Sequence, residues 1–261
     1  LTAGRQPISW SFGSLLNPVD YNPGAEVMDR ETGGKYLDAV TGYIPLDWNS
    51  GVTLVAGFPD NSEDIKWGFR GRKGLSGYDI SLNLIREPEK EINGNLYSAT
   101  NRAGISAKGD LGPAGIYGAV SFSKNEKDAY STYLLGTDYS HRYNYGTKTL
   151  LLQFEYLNTE DRALNNFAGG MVPLLPEFNE RLSLILGNIN YSLNDFSSIS
   201  FMTASCLNDS SFIIIPSYQN QINSNLEFII RGSVNEGGTN TLFKPGEKTT
   251  AGVEIVLNYV F

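Results

Sequence analysis

The stretch Thr250–Phe261, TAGVEIVLNYVF, decides how the chain is read. Successive side chains of an extended strand point to opposite faces. Val253, Ile255, Leu257, Tyr259 and Phe261 therefore share one side, and Glu254 and Asn258 share the other. One face is apolar and ends in aromatics, while the opposite face is charged or carries amides.

The same period of two recurs through the chain and predicts about fourteen strands. A stub, Leu1–Gln6, is followed by Tyr36–Pro45, Val52–Pro59, Ile65–Lys73, Tyr78–Arg86, Arg102–Asp110 and Ile116–Lys124. The second half adds Tyr130–Tyr139, Lys148–Asn158, Arg181–Ser192, Ser198–Leu207, Phe212–Tyr218, Asn225–Ser233 and Thr250–Phe261. Ile65, Trp67 and Phe69 oppose Lys66, Arg70 and Arg72. Tyr78, Ile80, Leu82 and Leu84 oppose Asp79, Ser81 and Asn83, and Leu150, Leu152, Phe154 and Tyr156 oppose Gln153 and Glu155.

A soluble sandwich also alternates, so the connections carry the distinction. Starting with Leu46–Gly51, every other connection is short: Gly74–Gly77, Leu111–Gly115, Ser140–Thr147, Leu193–Ser197 and Gln219–Ser224. The long ones, Pro7–Lys35, Glu87–Asn101, Thr159–Glu180 and Val234–Thr249, all fall on the other rim, together with three short ones. Short turns on one rim and longer loops on the other are the arrangement of an outer-membrane β-barrel, whose strands of about 9–11 residues cross the bilayer at a tilt. Closure removes the edges that so many apolar strands would otherwise expose. The expected fold is all-β: a single closed antiparallel transmembrane barrel over residues 1–261.

Composition agrees with a strand-built membrane protein. No apolar run reaches the 18 residues of a spanning helix. Gly, Tyr and Phe number 28, 15 and 13 against one Cys and one His, so no internal disulfide forms and no His/Cys cluster marks a metal site. A net charge of -8 without a basic stripe argues against nucleic acid as a partner. No cofactor motif is present: the Gly109–Pro113 and Asn235–Gly238 stretches are turn chemistry. His141 lies in a short turn expected at the periplasmic rim, away from where an outer-leaflet hydrolase would act. No catalytic residue is expected, and the chain is not read as an enzyme.

A channel needs instead a wet lumen, a constriction and charges around it. Parity sends Lys66, Arg70, Arg72, Arg102, Lys108 and Arg231 inward with Asp38, Asp79, Asp110, Asp138, Glu155, Glu227 and Glu254. Facing lipid, each Arg or Lys would cost roughly 2–4 kcal/mol at mid-membrane. The competing reading makes the same charges a salt-bridge lattice that stiffens the wall. The Pro7–Lys35 connection holds Trp10, Phe12, Leu15, Leu16 and Tyr21, too apolar to hang in water. It is expected to fold inward as a constriction, with Trp10 in it and Asp20 or Arg30 at the narrow point, rather than to pack on the rim or on a neighbouring subunit. Arg5 falls with Leu1 and Ala3 unless a bulge resets the register.

Two sets of motifs resemble known families. The closing strand AGVEIVLNYVF, with Tyr259 two residues before Phe261, resembles the C-terminal signature of bacterial outer-membrane proteins. That resemblance implies recognition of the strand ending in Phe261 by the barrel-assembly machinery. The run Gly4–Gly24, with Gly4-Arg5-Gln6, Trp10 and Asn17-Pro18-Val19-Asp20, is similar to porin-like barrels distantly related to alginate exporters; Leu135-Gly136-Thr137-Asp138-Tyr139 fits their style. In such barrels strands precede the Gly-Arg-Gln motif, which implies sixteen or more strands in the full protein and N-terminal strands missing from this chain.

The expected function is an outer-membrane porin that passes small hydrophilic solutes by passive or facilitated diffusion. Outer-membrane lipid and lipopolysaccharide are the expected surroundings, with the barrel a monomer or a homotrimer. An exporter of an anionic polysaccharide, an outer-membrane enzyme or adhesin working through extracellular loops, and a soluble β-rich binding protein stay open as alternatives.

Overall fold

The structure is a computed structural model that describes residues 1–10, 12, 16–22, 36–59, 64–92, 95–144, 148–160, 181–239, 241–243 and 250–259, with side chains for all of these except 90–92 and 95–97. Fourteen strands form one antiparallel sheet in the order in which they occur along the chain. They are β1 (Thr2–Pro7), β2 (Tyr36–Asp47), β3 (Ser50–Phe58), β4 (Lys66–Leu75), β5 (Tyr78–Glu87), β8 (Thr100–Leu111) and β9 (Ala114–Lys124), then β10 (Ala129–Tyr143), β11 (Lys148–Glu160), β12 (Arg181–Asn194), β13 (Ser197–Cys206), β14 (Ser211–Asn223), β15 (Leu226–Glu236) and β16 (Thr250–Tyr259). The order is linear, with β1 and β16 at its two ends.

The strand count expected from periodicity agrees with this sheet. What periodicity missed is a small separate hairpin, β6 (Lys90–Ile92) with β7 (Asn95–Tyr97), inside the connection from β5 to β8. Its strands are too short to show a period, but Asn93-Gly94 between them is the strongest short-range hairpin signal.

The alternation of rims holds. Trp48–Asn49, Ser76–Gly77, Gly112–Pro113, Asp195–Phe196 and Ser224–Asn225 join neighbouring strands tightly. Ser76 (φ 52°) and Gly77 (φ 85°) both adopt positive φ, as the tight turn between right-twisted strands requires. Asx contacts pin three of these turns: the amides of Asn49, Phe196 and Asn225 donate to the side chains of Asp47, Asn194 and Asn223.

The chain divides into two compact units, and the division falls within β8, at its last residue, and within β9, β10 and β11. Unit 1 comprises Leu1–Asp110, Tyr117–Leu135 and Thr159–Met171; unit 2 comprises Leu111–Ile116, Gly136–Asn158 and Val172–Phe261.

In unit 1 the two faces of the sheet reverse the pattern of a water-soluble protein. Lys66, Ser81, Asn83, Arg102, Ser106, Ser121, Ser123 and Thr132 are buried. Trp67, Leu82, Leu84, Ile105, Phe122 and Tyr133, on the opposite face, are exposed. Along β5, Asn83 is 1% exposed between Leu82 at 48% and Leu84 at 38%. In unit 2, Phe154, Ile189, Ile199, Phe201, Ile255 and Leu257 are likewise exposed, and Glu155 is fully buried. The buried face of unit 2 changes character along its strands. Leu182, Leu184 and Leu186 with Met202, Ala204 and Cys206 make an apolar half, and Ser200 with Ser217 begins a polar half toward the short turns.

Both units carry large apolar side chains at the short-turn rim: Trp48, Leu75 and Tyr78 in unit 1, and Tyr143, Phe196 and Tyr259 in unit 2. His141 lies among the latter, 4.3 Å from Tyr143 and stacked at 6.2 Å on Tyr139. No described helix is long and apolar enough to cross a membrane.

Candidate functional site

The site is built by the described residues of the segment Ile8–Asn22 (8–10, 12 and 16–22), which follow β1 and lie on the buried polar face of unit 1. Its shape starts from four residues. Asn17-Pro18-Val19-Asp20 forms a β-turn, with the Asp20 amide donating to the Asn17 carbonyl at 3.2 Å and the Val19 amide to Asn17 Oδ1 at 3.0 Å. Asn first and Pro second suit such a turn, because Pro presets φ and the Asn side chain holds its own backbone two residues on. The Asp20 carboxylate then ties the segment back on itself. It accepts from the Trp10 amide at 2.6 Å and from Ser9 Oγ at 3.1 Å. Asn22 Nδ2 completes the clasp on the Ile8 carbonyl at 3.1 Å.

The folded segment presents Trp10, Val19 and Tyr21 to the sheet, all buried. Glycines receive them. A Cβ at Gly68 would lie 2.7 Å from both Trp10 Cη2 and Tyr21 Cδ2; one at Gly57 would collide with Leu37 and Tyr21, and one at Gly104 with Val19. Trp10 and Tyr21 pack at 5.2 Å, tilted, within an apolar cluster completed by Ile8, Leu37, Ala39, Val55 and Ile85. The sheet's polar groups meet the segment's backbone. Asn83 Nδ2 donates to the Val19 carbonyl (2.6 Å), an Arg102 Nη to the Asp20 carbonyl (2.7 Å), and Lys108 Nζ to the Phe12 carbonyl (3.0 Å). The Tyr21 hydroxyl donates to the Lys66 carbonyl (2.8 Å), and Lys66 Nζ donates to Asn22 Oδ1 (3.1 Å). Burial, with the charge of Glu87 next, pushes the Tyr21 hydroxyl well above its ordinary value, so it stays a neutral donor.

Glu87 ties two cations of this face together, 3.1 Å from Arg102 and 3.7 Å from Lys66. Arg72 pairs with Asp79 at 2.7 Å in more exposed surroundings. In unit 2, Arg231 meets Glu254 at 3.2 Å, Asn258 donates to Glu227 at 3.2 Å, and Gln219 also donates to Glu227.

Cross-strand register places the residues picked from the sequence. Lys66, Arg70, Arg72, Asp79 and Arg102 share one face of unit 1, through the pairs Arg70↔Asn83, Arg72↔Ser81 and Ile85↔Arg102. Glu227, Arg231 and Glu254 share one face of unit 2, through Arg231↔Glu254 and Glu227↔Asn258. Asp138 lies against Gly115, where a Cβ would touch its carboxylate, and Glu155 is buried. Trp10 and Asp20 sit in the seated segment. Arg30 and Phe261 lie outside the described residues.

Asp38 corrects the parity reading. It pairs with Phe58 on one side and Arg5 on the other, on the face of Tyr36, Val40 and Ile44, opposite to Lys66. The register of β2 is set by Leu37 and Ala39, which pack under Tyr21 and Trp10 and turn Asp38 the other way. Arg5 stays with Ala3; the β1–β2 register runs unbroken from Thr2↔Thr41 to Pro7↔Tyr36.

Sequence reasoning singled out the segment and its aromatics but missed what seats them. Asn83, Gly57, Gly68 and Gly104 lie far off in the chain, and nothing local marks a glycine as a socket. Among the described residues no group of His, Cys, Asp and Glu could hold a metal ion. No family model, curated protein or solved structure matches this chain.

Proposed function

We propose that the sheet closes into a transmembrane β-barrel of a bacterial outer membrane and works as a channel for small hydrophilic solutes, narrowed by the segment Ile8–Asn22. The observation that carries this reading is the reversal of faces: Leu82, Leu84 and Ile105 are exposed while Asn83, Arg102 and Ser106 are buried. In water an apolar face of that extent would be a strong drive to aggregate, and in lipid it is the stable surface. The polar face, with its charges, then borders the lumen.

Closure is supported by the two end strands. Val253, Ile255, Leu257 and Tyr259 of β16 are exposed, and an open edge this long and apolar would recruit other chains. In lipid each unpaired backbone group costs several kcal/mol, which pairing of the end strands, with each other or through further strands, removes. The exposed Tyr78, Tyr143, Phe196 and Tyr259 at the short-turn rim suit the girdle that barrels place at the bilayer interface. On this reading the short turns face the periplasm, and the strand ending in Phe261 is the element offered to the barrel-assembly machinery.

Planar-bilayer recording of the refolded protein tests the proposal. Stepwise conductance is expected, and its absence from protein that shows heat-modifiable migration in detergent gels would falsify the channel.

A further inference from the structure

Among the described residues, Arg70 is a cation on the polar face of unit 1 with neither an ion pair nor a hydrogen bond. Arg72 has Asp79, Lys66 and Arg102 share Glu87, and Lys108 bonds the Phe12 carbonyl. Among the described residues Arg70 makes no ion pair and no hydrogen bond, and its Nε is buried without a partner. It borders a cavity of about 470 Å³ lined by Tyr43, Trp48, Ser50, Thr53, Arg72 and Asp79 among others, a volume within the range of small-molecule sites. Gly51 shapes this cavity: the Tyr43 ring lies where a Cβ at position 51 would be.

We infer that this cavity is a binding site for a small carboxylate with a flat or apolar body, held by the Arg70 guanidinium. A guanidinium presents paired N–H donors that match the two oxygens of a carboxylate, and one that is partly buried with its Nε unpartnered gains from supplying both. Two cations against one carboxylate, Asp79, leave the cavity net positive. Thr53 stands directly across from Arg70, and Ser50 and Asn49 add hydroxyl and amide groups on the wall. Tyr43 and Trp48 offer aromatic faces to the rest of the ligand. The inference rests on the channel reading only for its meaning, as a station for a permeating solute; binding itself does not depend on conductance.

The probe is benzoate, titrated calorimetrically into the full chain in detergent micelles. Saturable binding is expected, weakened about tenfold or more in Arg70→Gln, partly restored in Arg70→Lys, and unchanged in Arg231→Gln of unit 2. Each variant is first checked for heat-modifiable migration, so that a folding failure is not read as lost binding. No saturable binding, or binding equal in Arg70→Gln, overturns the site. Equal binding of chloride and benzoate overturns its carboxylate specificity. Conductance without benzoate binding removes this inference alone, and benzoate binding without conductance removes the channel alone.

Discussion

At the residue scale, the seated segment depends on a few small decisions. Gly68 leaves room for two aromatic rings, and Gly68→Ala drives a methyl within 2.7 Å of both. Overpacking of this kind costs about 1–3 kcal/mol. The segment is expected to loosen while the strands stay paired, which faster proteolytic cutting between Ile8 and Asn22, at unaltered heat-modifiable migration, would reveal. Glu87 makes a second point. With both Lys66 and Arg102 buried, Glu87→Gln takes a shared carboxylate charge away from two desolvated cations, a loss on the order of 3–5 kcal/mol. Urea unfolding from lipid vesicles measures it.

Asp209 shows a titration with a definite sign. It lies in the turn between β13 and β14, accepting from Ser211 amide and hydroxyl and, at 2.6 Å, from the Leu242 amide. Partial burial raises its pKa, but the hydrogen bonds from Leu242 and Ser211 outweigh burial and hold it below the ordinary carboxylate value. Its contribution is therefore complete above the unfolded value of about 4 and is lost as pH falls through the folded one. The tie between the turn and Leu242 should weaken in acid. Exchange of the Leu242 amide, corrected for its intrinsic rate, is expected to accelerate as pH drops below that range, and Asp209→Asn should flatten the dependence.

At the element scale, alternation is what separates lipid from water. A half-exposed Leu in a soluble protein tolerates Arg with little loss. Leu82 is half exposed, central in β5, and on the face we assign to lipid. Leu82→Arg is expected to cost about 2–4 kcal/mol in vesicles; a near-neutral result would sink the assignment of that face. Strand legibility followed the same physics. β4, β5, β11 and β16 alternate cleanly in the sequence because one face meets a uniform solvent. β12 does not, because Leu182, Leu184 and Leu186 fill its buried face while Ile185 and Ile189 occupy the other. Asp38 was misassigned for a related reason: near a strand end, parity counted from charge competes with parity counted from packing, and packing sets the register.

At the scale of the whole molecule, the test is the fate of the end strands. Within the sheet, β16 pairs with β15 from Leu226↔Tyr259 to Asn235↔Thr250, which uses one edge of its backbone. A closed barrel pairs the other edge as well. Hydrogen exchange is therefore expected to protect successive amides along Thr250–Tyr259, not only alternate ones, and a two-residue pattern of fast exchange would show an open edge.

The sequence by itself determined the strands, their antiparallel order and the inequality of the two rims, because these follow from local periodicity and connection length. It also marked the apolar aromatics of the Ile8–Asn22 segment as unfit for solvent, since side-chain chemistry alone sets that cost. Only the tertiary structure decided where those aromatics go. Gly57, Gly68, Gly104 and Asn83 become a socket through strand registers that no local pattern encodes. The same holds for Arg70. In the sequence it is one of several basic residues at alternate positions, and among the described residues it stands apart only once the neighbouring cations have found their partners on the sheet and the seated segment.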